Sequence, residues 1–493
     1  MNRRRTFFKT FEALKKIGLL NLLISLFFIS CNQPQNSDYF KSIDVLANHG
    51  EFLKIEHMID SIGHIEPQNS TNLQRIDSIQ DVIHRIRINF PLNEVQIKEQ
   101  LSRYYTQIDD SLILQWENSG KLEMRIIDGE KRFFNNAVSN LFRLDSLAAL
   151  HKEQIDGKQP DLLKLFCLTH TQKVIQESKN NSDPVMPVNM ILTYTIKLKS
   201  DAVPDGEIVR CWMPFPREGN IRQNTIKLIS SDPDSSIIAP ENYLQRSIYL
   251  EKKVKKDQLT EFKIKFSVQT AAQYFNLKPE DVKPYDTNSE IYRKYTIERP
   301  PQLVFTPEIK KLGAKLVGNE TNPLGKVERI YRWINNSIPW ASALEYSIMP
   351  DIPAYVLANR HGDCGMQTLL FMSLARSQGI PVKWQSGWML HPNLVNLHDW
   401  CEVYYENVGW VPLDQSFHLQ DSPDQQLREF YIHGIDAYRL IVNDDYSQKL
   451  YPAKKFARSE PYDFQRGELE WNGGNLYFDQ WTWHMDVDYQ IAK

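Results

Sequence analysis

Cysteine is scarce in this chain: five in 493 residues. The chain is long enough not to need a disulfide framework; Cys167, Cys211, Cys364 and Cys401 allow three full pairings, between which the sequence does not choose, or free thiols. An excess charge of one sign is missing too. Lys and Arg number 58 against 61 Asp and Glu, a net charge of −3, which gives no electrostatic case for nucleic acid as a partner. Beyond residue 30 no apolar run is long enough to span a bilayer, and no internal repeat is visible. What is present is an ordinary apolar fraction of 42% and length for several domains, each with a real core.

The first thirty residues read as a targeting segment. "MNRRRTFFKTFEALKK" is basic and "IGLLNLLISLFFIS" apolar, the order of a secretory signal. The apolar run ends on Ser30 and Cys31. This ending resembles a bacterial lipobox, with Phe28 where Leu is usual. The resemblance implies a signal peptide over 1–30, lipid on Cys31, and a protein of the cell envelope. Such a protein is anchored to the membrane through that lipid and faces the periplasm or the cell surface. A plain membrane anchor with Cys31 incidental is the alternative.

Hydrophobic period divides the rest. In "LQRIDSIQDVIHRIRI", Ile76, Ile79, Ile83 and Ile86 recur at three and four, one face of a helix, so 37–175 reads as a helical module. The polar, proline-bearing "ESKNNSDPVMPVN" reads as a linker. The period then drops to two in "ILTYTIKLK", "TIKLIS" and "TEFKIKFSVQT". Phe262, Ile264, Phe266 and Val268 share one face and Lys263 and Lys265 the other, the pattern of half-buried strands. A β-sandwich is expected over 188–298, an α+β domain over 303–420, and a C-terminal extension over 421–493.

The 303–420 stretch carries the chemistry. Val327, Ile330, Tyr331 and Ile334 predict a helix in "NPLGKVERIYRWINNSIPW", and "SALEYSIMPDIPAYVLANRHGD" reads mostly as loop. In "HGDCGMQTLLFMSLARSQGIP" a helix is expected from Cys364 or Gly365 to Gln378, capped by Gly379 and stopped by Pro381. Three strands follow: "VKWQSGWML", "HDWCEVYYE" and "GWVPLDQS", the last two a hairpin through "ENVG". A cysteine on the first helical turn meets unpaired N–H groups and the positive end of the helix dipole, and both favour the thiolate. Gly362 and Gly365 are expected to let a substrate carbonyl approach. A nucleophilic cysteine needs a base, and the base an orienting acceptor. His398 lies 34 residues after Cys364, and Asp414 lies 16 after His398. A simple turn at Asn407–Val408 leaves those two about three residues out of register, so a bulge near Pro412 is expected to absorb the offset.

These segments and their order resemble the transglutaminase-like domain of the papain-like superfamily, over roughly Pro307 to Phe417. The resemblance implies a papain-like core with a nucleophile helix packed on an antiparallel sheet, and a multidomain α+β chain. It matches Cys364, His398 and Asp414 to nucleophile, base and orienting acid. It implies a cysteine hydrolase or acyltransferase that works on peptide or amide bonds through a thioester, without metal or organic cofactor. Peptidase or amidase hydrolysis leads over protein-glutamine crosslinking, and the partner is a peptide or protein substrate. The backbone N–H of Cys364 is the expected oxyanion donor, with Trp340 a second candidate. The sandwich resembles the accessory domain of bacterial relatives.

Two readings of other classes stand beside it. His361-x-x-Cys364 and His398-x-x-Cys401 offer four ligands for a structural zinc, but residues 398 and 401 of an alternating strand point to opposite faces. A non-catalytic binding module would use Trp481, Trp483 and Met485, which share one strand face and, if exposed, could stack on carbohydrate. A buried core strand is the simpler reading. Trp400 and Trp410 read as packing residues, and Glu402 as a hydrogen-bonded or solvated strand residue.

Overall fold

The computed structural model of the protein describes residues 37–65, 70–178, 181–392 and 394–490. The leader and Cys31 lie outside the described residues. No helix among the described residues is long and apolar enough to cross a membrane. The chain forms two compact units that divide at His151.

The first unit holds α1 (Ser37–His49), α2 (Phe52–Ile65), α3 (Ser70–Asn89), α4 (Glu94–Leu101) and α5 (Asp110–Asn118). A short antiparallel hairpin follows, β1 (Met124–Ile127) with β2 (Glu130–Phe133), then α6 (Ala137–Leu144) and α7 (Ser146–Asp156), which runs across the division. The helical period in α3 has its physical counterpart, since Ile76, Ile83 and Ile86 are buried.

The second unit opens with α8 (Leu162–Glu177). Two antiparallel sheets come next, built first from β3 (Val185–Leu198), β4 (Ile208–Pro214), β5 (Gln223–Asp232), β6 (Ser236–Ile238), β7 (Ser247–Lys253) and β8 (Glu261–Tyr274). The alternation holds: Phe262, Ile264, Phe266 and Val268 are buried, while Lys263 and Lys265 are exposed. Then come α9 (Glu290–Tyr295), α10 (Pro307–Val317), α11 (Pro323–Ser337), α12 (Ile352–Asn359), α13 (Cys364–Ser377), β9 (Val382–His391), β10 (Leu394–Tyr405) and β11 (Gly409–Leu413). The chain closes with α14 (Gln425–Arg428), β12 (Gly434–Ile435), β13 (Arg439–Asn443), β14 (Glu468–Trp471), β15 (Gly474–Leu476) and β16 (Trp481–Gln490).

The site rests on the four-stranded antiparallel sheet β11-β10-β9-β13. Against it lies α13, buried along nearly its whole length and packed also by α10, α11 and α12. The predicted apolar face of α11 is in place, with Val327, Ile330, Tyr331 and Ile334 all buried. One stretch departs from the sequence reading. The expected loop before Cys364 contains α12, started by Asp351, whose side chain accepts from the Ala354 N–H, with a proline in the first turn. Its apolar period is weak because the segment is apolar nearly all round.

The residues read as a C-terminal extension are shared out. β13 extends the α13-bearing sheet, β12 and β16 join the sheet of β3 and β8, and β14 and β15 join the sheet of β4 and β7. Trp481 and Met485 are buried in the common core of the two larger sheets, and Trp483 packs on it and stacks on Tyr194. That face is a core strand.

Candidate active site

Asp363 starts α13. Its carboxylate accepts from the Met366 N–H at 3.1 Å and from the Tyr346 hydroxyl at 2.6 Å. The cap leaves Cys364 as the first helical residue, 9% exposed. At the other end Gly379 takes φ +77° and Pro381 stops the helix, which runs to Ser377. The glycines near Cys364 allow close packing. A Cβ on Gly365 would lie 2.2 Å from the Tyr346 hydroxyl and 2.7 Å from Asp399 Oδ2. One on Gly362 would lie 2.9 Å from Met366 Cβ.

His398 and Asp414 meet as expected, by a different register. Tyr405 pairs with Gly409 and Cys401 with Leu413, an unbroken ladder around a three-residue loop in which Asn407 takes φ +73°. This register carries Asp414 to the level of Trp400, two residues from His398. An offset of two keeps both side chains on one face, whereas three would put them on opposite faces. No bulge is needed. Asp414 Oδ2 accepts from His398 Nε2 at 2.7 Å, and the ring lies between Trp400 and Phe417. Asp414 Oδ1 accepts from the Ser416 N–H and hydroxyl, both at 3.2 Å. The carboxyl is fully buried, yet its pKa is lowered: desolvation opposes the charge, and His398 and Arg439 outweigh it. An ionised carboxylate can only accept, so Nε2 carries the ring proton and Nδ1 is the free nitrogen.

Cys364 has a different immediate neighbour. Its thiol donates to Asp399 Oδ2 at 3.3 Å, and no hydrogen bond joins it to His398 among the described residues. Asp399 follows His398 on β10, so its side chain turns to the opposite face. Its other oxygen accepts from Gln465 Nε2 at 2.7 Å, and the same amide holds the His398 carbonyl at 2.8 Å. The thiol pKa stands well above its ordinary value, chiefly through burial and then through Asp399 and Asp363; the Asp399 amide acts the other way. Burial and the two carboxyls oppose the thiolate that the helix terminus favours, and the sulfur sits as a thiol donor to Asp399. Asp399 is itself pushed well up by burial and by Asp463 and Asp363, and Asp363 is raised to about 6 by burial.

The sulfur opens on a cavity of about 240 Å³ whose lining includes Trp340, Tyr346, Asp399, Asp463 and Arg466. Trp340 thus shares the nucleophile's cavity, tied to it by a parallel bridge to Gly362. The zinc ligand set does not converge: Cys401 lies on the far face from His398, with its thiol directed to the Leu413 carbonyl at 3.6 Å. The four described cysteines are free. A different buried group, Cys167, His391 and Asp436, does come together within 4.8 Å. There the Arg439 guanidinium already supplies the cation, bonding Asp436 at 3.1 Å and His391 at 3.1 Å. Glu402 is buried between Lys383 at 2.7 Å and Arg222 at 3.2 Å, and Trp400 donates to Gln385. Both hold the sheet, as their positions implied.

Sequence reasoning named Asp399 only as the fallback orienting acid, not as the sulfur's neighbour, and missed Tyr346, Gln465 and Arg439. Strand alternation next to His398 was the one available signal, and it bears on Asp399 alone. The others reach the site from sequence-distant segments.

Comparison with known proteins places this site. Residues 310–415 match the family model for the transglutaminase-like superfamily. A Haemophilus influenzae protein described only as uncharacterized is 21% identical over 300 residues, 52% of this chain and 80% of that one. Among solved structures, a candidate cysteine protease from Cytophaga hutchinsonii aligns at 13% identity and TM-score 0.43, over 63% of this chain and 93% of that one. The periplasmic domain of TgpA from Pseudomonas aeruginosa aligns at 13% identity and TM-score 0.24, over 52% and 94%. The chain carries a transglutaminase-like core domain, with Cys364, His398 and Asp414 all inside its matched span.

Proposed function

We propose that the protein is a cysteine enzyme that cleaves peptide or amide bonds through a thioester on Cys364. His398 is the base and Asp414 holds its tautomer. The observation that carries the reading is the bond from His398 Nε2 to a buried, ionised Asp414. It leaves Nδ1 free to take a proton. Because the resting sulfur is a thiol, the proton passes to Nδ1 as Cys364 attacks the carbonyl carbon, rather than in a preformed ion pair. The Cys364 N–H receives the oxyanion, and Trp340 borders the same space. The imidazolium then protonates the leaving amine as the C–N bond breaks, and the ring deprotonates the water that releases the acid.

Hydrolysis is the preferred outcome and amine acceptance the alternative. A screen with one acyl-amide substrate, with and without a primary amine, separates them. Cys364→Ala should abolish turnover and leave the fold intact; retained turnover would end this reading. We further propose lipidation at Cys31 and an envelope location, supported by the leader's charge and apolar order. Cys31→Ser should release the protein from the membrane fraction, and a native mature chain that starts at Met1 would contradict it.

A further inference from the structure

The orienting acid is gripped from a strand outside the matched domain. Arg439, on β13, is fully buried. One of its nitrogens donates at 3.0 Å to Asp414 Oδ2, the same oxygen that accepts from His398, and lies 3.1 Å from Asp436 Oδ2. Asp436 is buried and holds Arg439 in turn, with help from the Tyr431 hydroxyl at 3.0 Å. Four donors therefore saturate Asp414: the Ser416 N–H and hydroxyl on Oδ1, and His398 and Arg439 on Oδ2.

We propose that Arg439 is a positioning residue for His398, acting through Asp414, so that the C-terminal segment completes the site. One effect follows from the shared oxygen. The guanidinium, gripped by both oxygens of Asp436, holds Asp414 Oδ2 with a single charged hydrogen bond, and through it the orientation of the ring. The charged and titratable groups around Arg439 include Asp414, Asp436, Tyr431 and Cys167, with His391 in hydrogen-bond contact and His170 and Arg222 also within its field. His391 and His418 also face the His398–Asp414 pair.

The inference rests on the proposed triad, and the test separates the two. Removal of Arg439 alone strands Asp436, so both charges are removed in Arg439→Met/Asp436→Asn. The ring N–H signals of His398, in the Cys364→Ala background, need no turnover. The parent should show a sharp, downfield Nε2–H proton bonded to Asp414, and the double variant should broaden or lose it as the carboxylate loses its second anchor. With Cys364 restored, kcat should fall roughly tenfold while KM stays within about twofold, as for loss of an interaction made in the transition state. Arg439→Lys keeps the charge but cannot fork to both carboxylates. It should lower kcat severalfold with KM unchanged, and it carries the test if the double variant does not fold. An unchanged His398 Nε2–H signal in a folded double variant, or full kcat in Arg439→Lys, would overturn the proposal. Loss of the triad reading would show instead as activity retained by His398→Ala.

Discussion

Asp399 touches the nucleophile, and its removal should make Cys364 more reactive. The perturbation is Asp399→Asn, which keeps shape and can still accept from Gln465. At 3.3 Å from the sulfur, an ionised carboxylate opposes a thiolate by about 5 kcal/mol at an effective dielectric near 20. That is a ceiling, because burial and the neighbouring carboxyls push the Asp399 pKa well up. The expected gain near pH 8 is therefore about tenfold in thiolate, roughly 1.4 kcal/mol. The assay is the second-order rate of iodoacetamide alkylation at Cys364, read by mass spectrometry across the pH range, with circular dichroism to show an intact fold. An alkylation profile identical to the parent's at every pH would refute the reasoning.

Three further outcomes are expected. His398→Ala should lose turnover almost as fully as Cys364→Ala, and Asp414→Asn should lose less, because an amide can still accept from Nε2; initial rates on one substrate decide it. Asp414→Ala should fall between them, and His398→Ala/Asp414→Ala should be scarcely worse than His398→Ala, since residues that act as a unit are not additive. Asp363 is raised to about 6 in the fold, so the folded state holds its proton more tightly than the unfolded chain. Its contribution is complete below the ordinary carboxyl range and declines as pH rises to about 6, by about 3 kcal/mol. Asp363→Asn, which still caps α13, should remove that decline relative to the parent in urea melts between pH 4 and 7.

How much was legible depended on whether a residue's role is local. The nucleophile helix could be read to within a residue because cap, apolar run, Gly379 and Pro381 are all short-range signals. The faces of α3, α11 and β8 followed from period alone. The His398–Asp414 pair was legible as a pair but not in register: one residue of loop length separates an offset of three from two, and Asn407 in the left-handed region settles it. The state of the thiol was not legible. A helix N-terminus is visible in sequence, but the burial and the carboxyls that outweigh it come from Asp399 across the fold and from the cap Asp363 itself. Arg439 was hidden for the same reason, because β13 reaches β9 only after a long excursion through the chain.

The central claim is an acyl group carried on one sulfur. The direct measurement is intact-mass and peptide-mass analysis after brief reaction with an activated acyl ester, with all four described cysteines free to compete. A single adduct on Cys364 is expected, absent in Cys364→Ala and slow to form in His398→Ala. An adduct on Cys167, Cys211 or Cys401 instead, or turnover that persists in Cys364→Ala, would contradict it.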